Sequence, residues 1–361
     1  TTLMEVVPEH DRGRIMGRVV MAISVAPALG PAVSGIVLQF TSWRWLFGFV
    51  LPISVGMLIA GLRRLTNVGE TRVHTVDIPS IIISALGFGT AVYGLSLVGG
   101  PSVDVDAFGL HASIHPLWFE GVGSLIVALF VWRQIILQRS DNPLLDLRTL
   151  RHGTFTLGAL LMVVAFMGFM GSMIVLPIYL QELRGLSSLE TGLLMIPGGL
   201  AMGLSGPRIG HLFDLYGARP LIVPGAFAVT LALATLTQVT PTTPIPLILA
   251  AHVVFMAGLA GLFTPVFTLS LNSVPEHLYS HASSLLGTSQ QVAGAIGTAL
   301  VVTVMSWRAA DLAHEGASAT AAAVGGTQWA FITGALLSIG IIVLAFVIPS
   351  RSPEGMGGSH H

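Results

Sequence analysis

Long apolar runs separated by short polar segments dominate the sequence. Ten of them are long enough to cross a bilayer, which takes about 20 mostly apolar residues in a helix. They lie at 14–39, 44–62, 77–98, 115–138, 154–180, 188–213, 219–239, 245–272, 281–306 and 327–349. Only helices and closed barrels satisfy their backbone in lipid, and these runs are too long and too continuously apolar for barrel strands. The pattern therefore predicts an all-α polytopic membrane protein with ten transmembrane helices.

The arginines predict the orientation of these helices. If residues 1–13 lie inside the cell, thirteen of the sixteen basic residues fall on the inside face. The remaining three, Arg44, Arg184 and Arg308, fall outside. Because inside loops carry an excess of positive charge, this distribution supports both the orientation and the helix count. We expect a multi-pass protein of a bacterial cell membrane.

Composition excludes several other classes of protein. Hydrophobic residues make up 53% of the chain and charged residues 9%, whereas soluble domains carry about 25% charged residues. The net charge of -1 argues against nucleic acid as a partner. The chain has no Cys, no acidic or His cluster with metal spacing and no nucleotide-binding loop. We therefore expect no metal, no cofactor and no enzymatic activity.

Small residues with unusual spacing mark the first apolar run. They are Gly17, Ala26, Gly30, Pro31, Ser34 and Gly35. Their spacing resembles the antiporter motif of drug exporters of the major facilitator superfamily, although Ala26 and Ser34 stand where that motif has glycine. The next residues, SWRWLF, resemble the 14-helix drug:proton antiporters of the EmrB/QacA type. Since the substituted residues are also small, close helix packing is expected here, with a bend at the proline as the functional interpretation.

Two further stretches resemble the same family. Residues 176–220 are similar to its helices nine and ten with the loop that follows, and residues 279–306 to its helix thirteen. Within GPRIGHLFDLYGAR, the residues that match the family's inside loop are Gly210, Leu212, Asp214, Gly217 and Arg219. The resemblance implies that this loop latches neighbouring helices, whereas a solvated turn with ordinary inside charge is the simpler interpretation.

The resemblance also implies an organisation and an activity. The ten runs would be helices five to fourteen, without helices one to four, so a chain of these residues alone is expected not to transport. Residues 1–62 would end the N-terminal half, 63–153 would hold two inserted helices with their inside loops, and 154–349 would form a six-helix C-terminal half. Residues 350–361 form a tail that ends like a tag remnant. The implied activity is export of amphipathic, hydrophobic or cationic compounds in exchange for protons, by alternating access of a monomer in the lipid bilayer.

Several residues inside the apolar runs are candidates for the substrate path or for proton transfer. The substrate-path candidates are Gln290, Gln291, Phe166, Met170, Phe255 and Met256. Adjacent helical residues point about 100° apart, so at most one of the two glutamines faces a cavity squarely. His252 and Glu182 are candidate protonation sites because intramembrane ionisable residues are functional by default. The alternatives are interhelical hydrogen bonding for the two glutamines, and lipid or core packing for the aromatic and Met residues. For His252 the alternative is a neutral, hydrogen-bonded side chain near the outer interface, and for Glu182 it is contact with interfacial water.

Two other functions are compatible with the sequence. One is export of an endogenous lipid, siderophore or metabolite by the same fold. The other is a non-transporting membrane scaffold or an embedded enzyme, although the sequence has no convergent polar constellation at one membrane depth.

Overall fold

In the computed structural model, residues 33–64, 77–97, 103–107, 110–114, 116–140 and 143–350 are described, together with positions 15 and 30. Long helices account for most of them. The helices are α1 (residues 33–40), α2 (Arg44–Arg64), α3 (Ile78–Ser96), α4 (Pro116–Leu137), α5 (Gly153–Ile178), α6 (Ser188–Tyr216), α7 (Arg219–Leu236), α8 (Ile245–Asn272), α9 (Tyr279–His314) and α10 (Ala319–Val347). The predicted helical bundle is confirmed.

Eight of the described helices are long and apolar enough to cross a membrane. The helix α6 is not among them, and it carries Glu190, Arg208 and Asp214. It nevertheless packs along α8 within the bundle. Helices α2 to α10 correspond to the last nine predicted runs, while most of the first run lies outside the described residues.

The predicted boundary between the last two runs is wrong. We expected a loop at 307–326, but α9 continues to His314 and α10 begins at Ala319. Alanine has the highest helix propensity, so the Ala-rich segment after Ser318 folds as the first turns of α10. Ser318 caps that helix by accepting a hydrogen bond from the Ala321 amide. The connection therefore shortens to residues 315–318.

Local sequence sets the start of two helices, and a hairpin lies outside the bundle. Ser187 and Glu190 form a capping box at the start of α6. Pro116 opens α4, where its missing N–H leaves no intrahelical bond unmade. Outside the bundle, residues 103–107 (β1) and 110–114 (β2) pair as an antiparallel hairpin in the predicted outside loop.

The core of the bundle centres on α8. This helix packs against α5, α6 and α7, and α10 packs against α5, α7 and α9. Buried residues follow one another almost without interruption from Gly258 to Leu271. A helix that is apolar on all sides is typically surrounded by other helices. The sequence of α8 therefore fits its central position.

Helices α3 and α4 form a separate, closely packed antiparallel pair, which we call the helix pair. A Cβ added to Gly94 would lie 2.4 Å from the Glu120 amide nitrogen, and one added to Gly123 would lie 2.3 Å from that of Ala91. Glycine at these two points lets the two backbones approach as closely as they do. The helix pair is therefore held together by backbone contact along its length.

Candidate functional site

A cavity of about 750 Å³ lies between α3, α5 and α9. Three of the predicted substrate-path residues, Phe166, Met170 and Gln291, meet in its wall. The full lining is Phe88, Val92, Phe166, Met170, Thr288, Gln291, Val292, Gly294, Ala295, Thr298, Ala299 and Val302. We call this cavity the side pocket. Its volume falls in the range of small-molecule sites.

Close contact between α5 and α9 fixes two walls of the side pocket. A Cβ added to Gly297 would lie 2.3 Å from the carbonyl oxygen of Met167. One added to Gly294 would lie 3.0 Å from Cγ of Met170 and 3.4 Å from Cε1 of Phe166. These glycines let the backbones of α5 and α9 meet, so the side chains of Phe166 and Met170 extend beside α9 into the lining.

The side pocket is apolar and aromatic, with a few hydrogen-bonding groups. The Phe166 ring packs on Phe169 and Phe263, with centroid distances of 5.6 and 5.8 Å, which anchors it from the core side. Thr288, Gln291 and Thr298 supply the polar side chains on α9. No residue of the lining carries a formal charge. The chemistry of the pocket suits a largely apolar ligand with hydrogen-bonding groups.

The other substrate-path candidates lie elsewhere. Gln290 is half-buried beside the pocket but does not line it. Phe255 and Met256 are fully buried in the core of α8. Both face neighbouring helices, which is the packing alternative considered for them. Only packing distinguishes Gln291 from Gln290, because the two have the same chemistry and neighbouring positions.

The two protonation candidates have opposite surroundings. His252 is 2% exposed, lies on α8 and faces α6. A Cβ added to Gly198 would meet the His252 ring at 2.3 Å, so this glycine makes room for the imidazole. The Nε2 atom of His252 has no hydrogen-bond partner among the described residues. Glu182 is exposed, in the π-helical segment Tyr179–Leu183 that follows α5.

The antiporter-motif residues are described in part. Gly17, Ala26 and Pro31 lie outside the described residues. A Cβ added to Gly30 would have no heavy atom within 4 Å among the described residues. The close contact falls five residues later, where a Cβ on the buried Gly35 would lie 2.5 Å from the Ser188 carbonyl oxygen. This contact brings α1 against the start of α6.

The inside-loop residues connect α6 to α7. Gly210 is buried in α6, and Gly217 ends that helix with φ at 81°, a conformation that favours glycine. Its neighbour Ala218 donates a backbone hydrogen bond of 2.7 Å to the carbonyl of Ser350, which ties the loop to the end of α10. Arg219 is exposed, with its guanidinium 6.0 Å from the Phe346 ring centroid, and Asp214 is half-buried.

Sequence reasoning missed a polar network on the inside face of the helix pair. Arg133 on α4 forms a bidentate interaction with Asp77 at the start of α3, with nitrogen–oxygen distances of 2.8 and 3.0 Å. The hydrogen bonds from Arg133 and Ser80 hold the pKa of the Asp77 carboxyl below its ordinary value. Gln134 donates a 2.8 Å bond to the Ser80 hydroxyl. The sequence did carry a signal for this network, namely an acid and an arginine near the inside ends of two adjacent apolar runs.

The described part of the inside loop after α4, residues 143–152, is bonded on both sides. Gln134 Oε1 accepts a 3.1 Å hydrogen bond from the Leu145 amide. Next along the chain, the Asp146 amide donates a 3.3 Å bond to Nδ1 of His281 on α9. The Asp146 carboxylate pairs with Arg148 at 2.8 Å. This run of bonds, which we call the inside clasp, joins the helix pair to α9.

Comparison with known proteins agrees with this architecture. The model of the Major Facilitator Superfamily matches residues 1–298. The lincomycin resistance protein LmrB of Listeria monocytogenes is 36% identical over 357 residues, covering 96% of this chain and 72% of the relative. The MFS-type transporter YcnB of Bacillus subtilis is also 36% identical, covering 98% of this chain and 73% of the relative. The multidrug resistance protein Stp of Mycobacterium tuberculosis is 26% identical, over 84% of this chain and 54% of the relative.

Proposed function

Because this chain belongs to the Major Facilitator Superfamily, we propose that it exports amphipathic drugs, lincomycin among them, from the bacterial cell. Family membership makes it a multi-pass membrane transporter rather than an enzyme. The observation that carries the drug proposal is the side pocket, whose uncharged lining of aromatic, Met and small side chains suits varied apolar ligands. Relatives named for lincomycin and multidrug resistance support it.

The finer mechanism that we propose is that of a 14-helix drug:proton antiporter. Residues 1–62 and 154–349 would belong to the two halves that rock about a central site, with residues 63–153 between them. The resemblance of the first run to the antiporter motif and of residues 206–219 to the inside loop supports this organisation. Protons would be the coupling ion and the monomer the working unit.

Drug accumulation in living cells tests the drug proposal. The protein is expressed from its native gene in a host that lacks its own drug exporters, and uptake of labelled lincomycin and of ethidium is followed. Expression should lower accumulation of at least one compound severalfold. Unchanged accumulation of both would overturn drug export and favour an endogenous substrate.

Reconstitution tests the proton coupling separately. The product of the native gene is purified and placed in liposomes with an imposed pH gradient, and drug flux is recorded with and without the gradient. Flux should rise when protons can run down their gradient in the opposite direction, and a protonophore should abolish that rise. Drug flux that is the same with and without the pH gradient would be compatible with export but would refute antiport.

A further inference from the structure

One wall of the side pocket comes from outside the bundle. Phe88 and Val92 lie on α3 of the helix pair, whereas the opposite walls come from α5 and α9. The two residues are four positions apart, so they project from the same face of their helix. The helix pair therefore presents a defined surface to the space beside Phe166 and Met170.

The helix pair holds Phe88 in place from behind. The Phe88 ring packs edge-on against Phe130 of α4 at 6.2 Å between centroids, and Phe130 is only 4% exposed. The neighbouring Gly87 brings the α4 backbone close, since a Cβ there would lie 3.0 Å from the Val127 amide nitrogen. An aromatic ring supported in this way has few alternative rotamers and offers a preorganised contact surface.

The inside clasp holds the helix pair against the bundle. Gln134 bonds the Leu145 amide, and the Asp146 amide bonds His281 near the start of α9. The helix α9 also carries Thr288, Gln291 and Thr298, the polar groups of the side pocket. The same helix thus connects the clasp to the pocket, which keeps the Phe88 wall facing α9.

We propose that the helix pair is a specificity wall of the transporter, in which Phe88 and Val92 contact the apolar body of the substrate. This proposal rests on the drug-export function. Phe166 and Met170 contact the substrate from α5, and Gln291 takes its hydrogen-bonding group. Since the lining carries no charge to neutralise a cation, the portion of substrate bound here is uncharged and aromatic or alicyclic.

Equilibrium binding of Nile red, a neutral aromatic dye, tests the wall without requiring transport. The purified protein is studied in lipid nanodiscs, with protein-free discs as the blank. Phe88→Ala should weaken binding by about tenfold, the lower end of the effect of small changes in apolar pockets. The matched control is Leu86→Ala on the same helix, because Leu86 is 57% exposed and does not line the pocket. It should change binding less than about twofold, well below one tenfold step of affinity.

A second variant keeps the proposal testable if the Phe88→Ala protein misfolds. Val92→Phe fills the side pocket instead of opening it and should also weaken binding severalfold. If Val92→Phe and a well-folded Phe88→Ala both bind Nile red like Leu86→Ala, or if the unaltered protein does not bind it, the wall is refuted.

Efflux measurements separate this proposal from the proposed function. In cells, Phe88→Ala should lower efflux of neutral Nile red relative to cationic ethidium, whereas Leu86→Ala should preserve the ratio. Binding that depends on Phe88 in a protein that exports no drug would support the wall and overturn the export function. Export by the unaltered protein, with a Nile red to ethidium efflux ratio that Phe88→Ala does not change, would support the export function and overturn the wall.

Discussion

The contact between α5 and α9 at Gly297 makes a quantitative prediction. A Cβ added there would lie 2.3 Å from the carbonyl oxygen of Met167 and 2.5 Å from its Cα. Carbon–oxygen contacts of this kind ordinarily begin at about 3.3 Å. The two helices would therefore have to separate by about 1 Å to accommodate Gly297→Ala. Both contacted atoms belong to the backbone, so no side-chain rotation can relieve the clash.

The expected cost follows from two opposing terms. Overpacking of a close contact costs about 1–3 kcal/mol, while alanine in place of glycine favours the helix by about 1 kcal/mol. The net loss for Gly297→Ala is therefore up to about 2 kcal/mol. Because Phe166 and Met170 lie on the neighbouring turns of α5, the same separation moves two walls of the side pocket. Drug efflux should fall along with stability.

Gly287 supplies the matched control on the same helix. A Cβ added to Gly287 would meet no heavy atom within 4 Å among the described residues. Gly287→Ala keeps the gain in helix propensity without the clash, so it should leave the protein unchanged or slightly more stable. The melting temperature of the purified protein and lincomycin efflux in cells are measured for both variants. Equal melting temperatures and equal efflux in the two variants would refute the backbone contact.

Three further predictions concern polar groups. Asp77→Asn should lower the melting temperature by about 1–3 °C at pH 7 by weakening the bond to Arg133. Because the pKa of Asp77 is lowered on folding, this difference in melting temperature should persist from pH 8 to pH 5 and shrink only below about pH 4. A difference that disappears near pH 6 would contradict this prediction. Tyr179→Phe removes the 2.7 Å hydrogen bond to the Thr240 carbonyl and should cost about 1 kcal/mol of unfolding free energy; an unchanged denaturation midpoint would contradict it. His252→Gln should reduce flux driven by a pH gradient in liposomes more than drug binding, and an equal loss of both would assign His252 to packing alone.

The sequence predicts the spans well because bilayer thickness and backbone bonding leave few alternatives. Runs such as 245–272 have boundaries set by Pro244 and by the polar residues that follow Asn272, and the helix ends there. The boundary at 307–326 fails because hydropathy alone cannot detect a helix that continues beyond the membrane. The Ser318 cap and the alanines after it carried that information, but they did not form an apolar run.

The walls of the side pocket could not be predicted from the sequence in this way, because they depend on which helices become neighbours. Phe166 and Met170 could be proposed from their chemistry, but Phe255 and Met256 have the same chemistry and lie in the core. Phe88 gives no distinguishing signal in the sequence, since an aromatic residue in an apolar helix usually packs against lipid or core. Only the position of the helix pair beside α9 brings Phe88 into the pocket.

The three walls of the side pocket differ in what holds them together. The helices α5 and α9 meet through backbone at Gly297, a contact that has no side-chain rotamers with which to adjust. The helix pair meets α9 through the side chains around the pocket and through the hydrogen bonds of the inside clasp. A single hydrogen bond contributes only about 1 kcal/mol, whereas separating closely packed backbones forfeits many contacts at once. A pocket between these helices therefore widens at least cost on the side of Phe88, and substrates of different size would be accommodated by movement of the helix pair while α5 and α9 stay together.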